Sequence, residues 1–235
     1  MLTFLLSKIE VGSHFYINFT ETIHLHGETI LVSSLVVVFL SLFLTFATKN
    51  LQRIPTPLQS IVEIIYELVK SIAVTQMGPS YYSQFLPFVA TIFLFVLGSN
   101  LSGALIPWKL LELPSGEFAA PTNDINTTAC LAILTSLTYF FAGFKIKGIG
   151  YFKRYIKPAV FFLPLNIVED FTKPLSLNFR LFGNVVADEL TVTVICSLAP
   201  ILIPLPIMML GLFASSLQAL IFATLAAAYI GEVIE

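Results

Sequence analysis

Six ionisable side chains lie within one otherwise apolar segment of the sequence, residues 162–198. They are Glu169, Asp170, Lys173, Arg180, Asp188 and Glu189. A charged side chain at the centre of a bilayer costs at least about 2.5–3.5 kcal/mol on insertion scales. Such charges either pair with one another inside a helix bundle or line a path for an ion or a proton, and both alternatives remain open here.

A helical projection of this segment places its polar residues in a stripe. At about 100° per residue, the stripe within about 40° of Arg180 holds Glu169, Lys173, Ser176, Asn184 and Thr191. Two further acids, Asp170 and Asp188, lie about 80° away. Glu169 and Lys173 are four residues apart, which suits a salt bridge along the helix. Arg180 has no acid three or four residues away, so its partner must come from another helix or another chain.

The last apolar segment has a small residue at every fourth position. These residues are Gly211, Ser215, Ala219, Ala223, Ala227 and Gly231. Small residues at this spacing let a second helix approach closely, and that helix could belong to this chain or to a partner. Gln218 is the strongly polar side chain of the same segment, apart from hydroxyl groups.

The composition indicates an integral membrane protein. Of 235 residues, 57 % are hydrophobic and 11 % are charged, against about 25 % charged residues in soluble globular chains. These values exclude a disordered chain, a basic nucleic-acid binder and a disulfide-stapled secreted domain. We therefore predict an all-α integral membrane protein with about five transmembrane helices, forming a single membrane domain over residues 1–235.

The spacing of charges along the chain predicts where the spans lie. A bilayer core requires about 20 apolar residues, and the predicted spans are residues 29–48, 85–106, 125–144, 162–198 and 207–230. Prolines near residues 200–206 separate the last two spans. These two spans are expected to form a long, tilted antiparallel hairpin.

Residues 57–74 predict a helix that lies on the membrane surface. Glu63, Glu67 and Lys70 recur at helical spacing on one face, with apolar residues around the rest, which is typical of an interfacial amphipathic helix. Because prolines interrupt residues 75–87, we expect the following span to begin only at residue 85.

Basic residues predict the orientation of the chain. Eight of the twelve Lys and Arg residues lie in residues 49–70 and 145–157. The opposite side carries six acids, Glu10, Glu21, Glu28, Glu112, Glu117 and Asp124. Because basic segments stay on the cytoplasmic side, both basic segments should face the cytoplasm or stroma. The N-terminus then faces the outer side, and five spans place the C-terminus on the inner side.

The sequence offers no machinery for covalent or nucleotide chemistry. Gly143 and Gly148 have the spacing of a phosphate-binding loop, but Ile149 and Gly150 follow where Lys and Ser or Thr are required. All three histidines precede residue 27, so no catalytic triad can be proposed. We expect no metal, no cofactor, and no nucleotide or nucleic acid bound by this chain.

The motifs of the fourth predicted span resemble those of subunit a of F-type ATP synthases. They are PLSLNFRLFGN at residues 174–184 and Glu189 after it. LQALIF at residues 217–222 resembles the last helix of that family. Residues 102–109, 119–128 and 166–174 look like its plastid and cyanobacterial branch. The resemblance is strong over residues 85–235 and weaker before them.

The resemblance implies a proton-conducting stator. In this family the subunit stands beside a rotating ring of hairpin subunits, each with one carboxylate, and offers protons two offset half-channels. By carry-over, Arg180 faces the ring carboxylate and separates the half-channels, Asn184 follows one turn on, and Gln218 lies across from the arginine. Glu189 corresponds to the acid of the lumenal half-channel. Asp188, Glu169 and Asp170 are further candidates for the proton path.

The chemistry of arginine agrees with that assignment. Arginine is not deprotonated in proteins, so Arg180 cannot relay a proton. It can favour the ionised form of an approaching carboxylate, which then releases its proton, and its fixed charge opposes a direct leak. Many bacterial members of the family carry a histidine where this chain has Gly211, so the two half-channels need not be wired as in bacteria.

The resemblance also implies partners and a location. The partners are the c-ring, b-type subunits of the peripheral stalk, protons and membrane lipid. The location is a plastid thylakoid membrane, with a cyanobacterial thylakoid or plasma membrane as the alternative, and the N-terminus is then lumenal and the C-terminus stromal. This chain would be a non-catalytic channel subunit. The competing classes are a secondary transporter, for which internal repeats are expected but not found, and a purely structural membrane subunit in which Arg180 only holds the bundle.

Overall fold

Helices make up most of the part of the chain described by the computed structural model, residues 16–20, 23–105, 120–152, 163–198 and 204–234. They are α1 (Gly27–Thr48), α2 (Pro57–Leu105), α3 (Ile125–Lys147), α4 (Leu163–Leu198) and α5 (Pro204–Ile234). Short 3-10 turns at Pro121–Asn123 and Gly148–Phe152 flank α3. The prediction of an all-α membrane fold is confirmed. A short antiparallel hairpin before α1, β1 (Tyr16–Thr20) and β2 (Ile23–His26), was not predicted.

Four helices of the described part are long and apolar enough to cross a membrane. The qualifying stretches are Thr29–Thr48, Pro57–Gly103, Ile125–Lys147 and Leu205–Ile234. Large apolar side chains face outward along them, among them Phe39 and Phe46 of α1, which suits contact with lipid. Helix α4 is not among the four and carries the six ionisable residues of its segment. The predicted span limits at residues 106 and 162, both chain termini, and Lys153, Arg154 and Lys157 of the second basic segment lie outside the described residues.

Helix α2 joins two segments that the sequence analysis separates. It bends at Gly78, where φ is 74° and ψ is 166°, a backbone conformation that only glycine adopts readily. Pro79 begins the segment after the bend, where its missing backbone N–H is of no consequence. The helix then continues through Pro87. The expected gap before residue 85 is therefore absent, because the bend is confined to one glycine.

The small residues of α5 pack against α2 of the same chain. Ser215, Ala219, Ala223 and Ala227 are buried, and the Asn100 side chain of α2 bonds the Ser215 backbone. At Gly231 a Cβ atom would overlap the backbone carbonyl of Gln76. Of the two alternatives for this stripe, packing within the chain is the one observed.

Helices α4 and α5 form an antiparallel pair, as predicted for the last two helices. Lys173 contacts Glu232, and Asp188 contacts Ser215 fifteen residues further along α4. From the first contact to the second, the residue number rises along α4 and falls along α5, so the two helices run antiparallel. Helix α4 continues through Pro174, so the polar residues before and after this proline lie on one continuous helix.

Candidate functional site

Arg180 lies on the exposed face of α4, away from the core of the bundle. No described carboxylate forms an ion pair with it, and no described residue accepts its hydrogen bonds. Gly183 and Ala187 are exposed on the same face, and a Cβ at Gly183 would meet no atom within 4 Å. Arg180 therefore stands in an open face of small residues, and its counter-charge has to come from outside the described part of this chain.

Asp188 points from α4 towards α5. The Ser215 hydroxyl donates a hydrogen bond to Asp188 Oδ2 at 3.2 Å. Gly211 leaves room for the same carboxylate, because a Cβ there would lie 3.4–3.6 Å from its atoms, which is ordinary contact distance. Gly211 of α5 thus adjoins Asp188 of α4.

A buried chain of hydrogen bonds extends from Ser215 into α2. The Asn100 side-chain amide donates to the Ser215 backbone carbonyl at 3.0 Å, and the Thr122 hydroxyl donates to Asn100 Oδ1 at 2.8 Å. Both side chains are buried. Buried polar groups bonded in this way fix one another's orientation, so α2 and the 3-10 turn hold the surroundings of Asp188 in place.

Glu189 points to a different partner from that of its neighbour Asp188. The Asn123 side-chain amide donates a hydrogen bond to Glu189 Oε2. Asn123 is placed by the 3-10 turn before α3, where Asp124 caps the helix by accepting from the Asn126 backbone N–H at 2.9 Å. The two adjacent carboxylates therefore reach different elements, one towards α5 and the other towards the turn before α3.

A second polar group surrounds Lys173 near the other end of α4. Its ammonium lies 3.1 Å from Glu169 Oε1 and 3.9 Å from Asp170 Oδ1, and 2.7 Å from Glu232 Oε2. The salt bridge between Glu169 and Lys173 agrees with their spacing in sequence. The Tyr139 hydroxyl of α3 donates to the Asp170 backbone carbonyl at 3.3 Å. The described residues hold no group of three or more His, Cys, Asp or Glu suited to a metal ion.

Between these two groups lie buried amides with unused hydrogen-bonding atoms. Asn184 Nδ2 and Gln218 Nε2 are buried and find no partner among the described residues. A buried donor left unpaired costs about 1–3 kcal/mol, and bound water commonly meets that need. The contacts of Lys173 with Glu232 and of Asp188 with Ser215 fix how α5 lies along α4. By that alignment, Gln218 lies about 9 Å from the level of Arg180 along the helix axis, towards Asp188.

The predicted site residues thus divide between the two ends of the bundle. The residues around Lys173 lie at the same end of the bundle as the C-terminal end of α3. Gly143, near that end of α3, packs so closely against Val233, the neighbour of Glu232, that a Cβ at Gly143 would overlap it. The Asp188 and Glu189 group shares its end with the turn before α3. Arg180 lies between them, about 10 Å from Lys173 and about 12 Å from Asp188 along a straight helix.

Several contributing residues were missed by the sequence analysis. No role was predicted for Glu232, Asn100, Thr122 or Asn123. Their partners lie 22 to 115 residues away in sequence, beyond the reach of helical spacing. A polar side chain inside an otherwise apolar helix, such as Asn100, was the available signal.

Comparison with known proteins shows the family to which this chain belongs. A family model described as ATP synthase A chain matches residues 30–231. A relative named "ATP synthase subunit a, chloroplastic", from Stigeoclonium helveticum, is 53 % identical over 232 residues, which cover 99 % of this chain and 94 % of the relative. The resemblance based on the motifs around Arg180 is confirmed. The chain belongs to the ATP synthase A chain family, in its plastid-type branch.

Proposed function

We propose that this chain is the proton-conducting stator subunit of an F-type ATP synthase in a plastid thylakoid membrane. It offers two offset half-channels to the carboxylates of a rotating c-ring, and Arg180 is the electrostatic barrier between them. Proton flow through the two half-channels turns the ring and is thereby coupled to ATP synthesis. The chain binds no nucleotide in this account.

The exposed guanidinium of Arg180, which has no ion-pair partner among the described residues, carries the proposal. A permanent cation within an apolar segment requires a counter-charge, and no described carboxylate of this chain pairs with it. A ring carboxylate supplies that negative charge each time the rotation of the ring brings it to Arg180. The small residues beside Arg180, Gly183 and Ala187, leave space for a helix of the ring to pass.

The two polar groups support the positions of the half-channels. Asp188 and Glu189, with Asn184 and Gln218, form the lumenal half-channel, through which protons reach the ring. Glu169 and Asp170 form the stromal half-channel, through which they leave. Each group approaches the level of Arg180 from one end of α4 only, so neither path crosses the arginine.

A proton follows this route in single transfers between oxygen atoms. It enters from the lumen, protonates Glu189 or Asp188, and passes through water held by the amides to an ionised ring carboxylate. The ring then carries it in neutral form through the lipid. When that carboxylate returns to Arg180 from the other side, the cation favours its ionised form, and the proton leaves past Glu169. Each proton that crosses 100 mV supplies about 2.3 kcal/mol.

The remaining partners follow from the same assignment. The outer face of α4 meets the c-ring, the outward apolar faces of α1 and α3 meet lipid, and b-type subunits of the peripheral stalk hold the chain against rotation. The lumenal N-terminus and stromal C-terminus place the Lys173 group on the stromal side.

Replacing Arg180 by Ala tests the proposal. We expect assembled complexes without ATP synthesis, together with a passive proton leak, because the half-channels are no longer separated by a charge. Arg53→Ala is the matched control, since it removes an exposed arginine outside the described site; its ATP synthesis should be normal. If Arg180→Ala prevents assembly, Arg180 is a structural residue and the proposal is wrong.

A further inference from the structure

Lys173 is a buried cation that joins two helices. Its side chain is 9 % exposed, and its ammonium contacts both carboxylate oxygens of Glu232, at 2.7 and 3.0 Å. It also lies 5.5 Å from the centre of the Tyr229 ring. The spacing of residues in the sequence predicts only the pairing with Glu169, four residues earlier on the same helix. The contact with Glu232 ties α4 to the last turn of α5.

Packing alone gives a weak reason for a lysine at this position. Replacing a buried ion pair by apolar residues of similar volume is often neutral or stabilising, and apolar side chains are abundant in this chain. An ammonium differs from them in holding several carboxylates at fixed positions. The charged and titratable groups that face Lys173 are Glu169 and Asp170 from α4 and Tyr229 and Glu232 from α5, while Tyr139 of α3 bonds the Asp170 backbone.

The two carboxylates held most closely are only half-buried by this chain. Glu169 is 50 % exposed and Glu232 is 43 % exposed, although both contact the nearly buried ammonium. Because oxygens of both acids contact the same nitrogen atom, a single water molecule can bridge them. A proton bound by one acid can therefore reach the other without crossing bulk solvent.

We propose that Lys173 is a positioning residue that holds Glu169 and Glu232 together at the mouth of the stromal half-channel, where Glu232 is a second proton acceptor. The inference rests on the proposed function, because it assumes that protons leave past Glu169. In each cycle one carboxylate oxygen binds the departing proton and passes it to a stromal water, which leaves as hydronium. The carboxylate is restored, and the ammonium keeps its three protons throughout.

Proton flux per assembled complex in Lys173→Met tests the inference. Methionine fills the volume without the charge, so the two acids are no longer held together, and we expect flux to fall at least about threefold, since one positioned acid–base group is lost. Lys173→Arg retains a cation and should restore most of the flux. The matched control is Lys145→Met, which removes an exposed lysine at the same end of the bundle, in contact with Phe141. Equal flux in Lys173→Met and Lys145→Met would overturn the inference.

A second variant decides the matter if Lys173→Met does not assemble. Glu232→Gln leaves Lys173 with Glu169 and Asp170 and removes one half-exposed acid, so the complex should assemble with flux about twofold lower. Unchanged flux would show that Glu232 accepts no proton on this path. Arg180→Ala in the same series distinguishes failure of the proposed function from failure of the positioning role of Lys173. Normal ATP synthesis there refutes the proposed function, whereas unchanged flux in Lys173→Met and Glu232→Gln refutes only the positioning role.

Discussion

Gly231 is the residue at which a single methyl group should disturb the bundle most. A Cβ atom there would overlap the backbone oxygen of Gln76 and lie 2.9 Å from its carbonyl carbon. Favourable carbon–carbon contacts lie at about 3.5–4.0 Å, so α5 has to move away from α2 by more than about half an ångström. Overpacking of this kind costs about 1–3 kcal/mol, and we expect the upper half of that range because the obstacle is backbone and cannot rotate aside.

The thermal stability of the purified complex measures this cost. For a chain of this size, each kcal/mol corresponds to about 2–4 °C in melting temperature, so Gly231→Ala should melt about 4–12 °C lower. Gly150→Ala is the matched control, because a Cβ there meets no atom within 4 Å and its φ is not positive. Equal melting temperatures of the two variants would refute the close approach of α5 to α2.

Three further predictions concern orientation, proximity and the lumenal path. A cysteine placed at Lys147 should react with a membrane-impermeant label only from the stromal side, because the excess of basic residues predicts that both basic segments face that side; labelling from the lumen would contradict the predicted topology. The Cα atoms of Arg180 and Gln218 should lie within about 15 Å, because packed helix axes are about 8–10 Å apart, and a structure of the assembled complex with a longer Cα–Cα distance would contradict their pairing. Glu189→Gln should slow proton flux without opening a leak, since it removes one titrating group and leaves the Arg180 barrier, and a leak in this variant would place the barrier elsewhere.

Patterns within one helix predicted more of this protein than patterns between helices. The lengths of the charge-free segments indicate membrane helices because the bilayer sets a minimum length. The pairing of Glu169 with Lys173 follows from their spacing in the same way. Both predictions need only the geometry of a single helix.

The contacts that were not predicted from the sequence depend on how the helices pack against one another. Small residues in α5 show that a helix approaches closely, but α2 and a partner helix present equally apolar surfaces, so the sequence left the occupant open. Glu232 and Asn123 meet Lys173 and Glu189 across 59 and 66 residues. The bend at Gly78 requires a positive φ, which glycine permits but does not impose.

ATP synthesis by assembled complexes carrying Arg180→Lys is the most direct test of the central claim. Lysine retains a positive charge but lacks the planar guanidinium, and it can lose its proton when it is desolvated. If Arg180 must meet a moving ring carboxylate with a permanent charge and then release it, the Arg180→Lys complex should assemble and make no ATP. Near-normal ATP synthesis would show that any cation suffices at this position and would contradict the role proposed for Arg180.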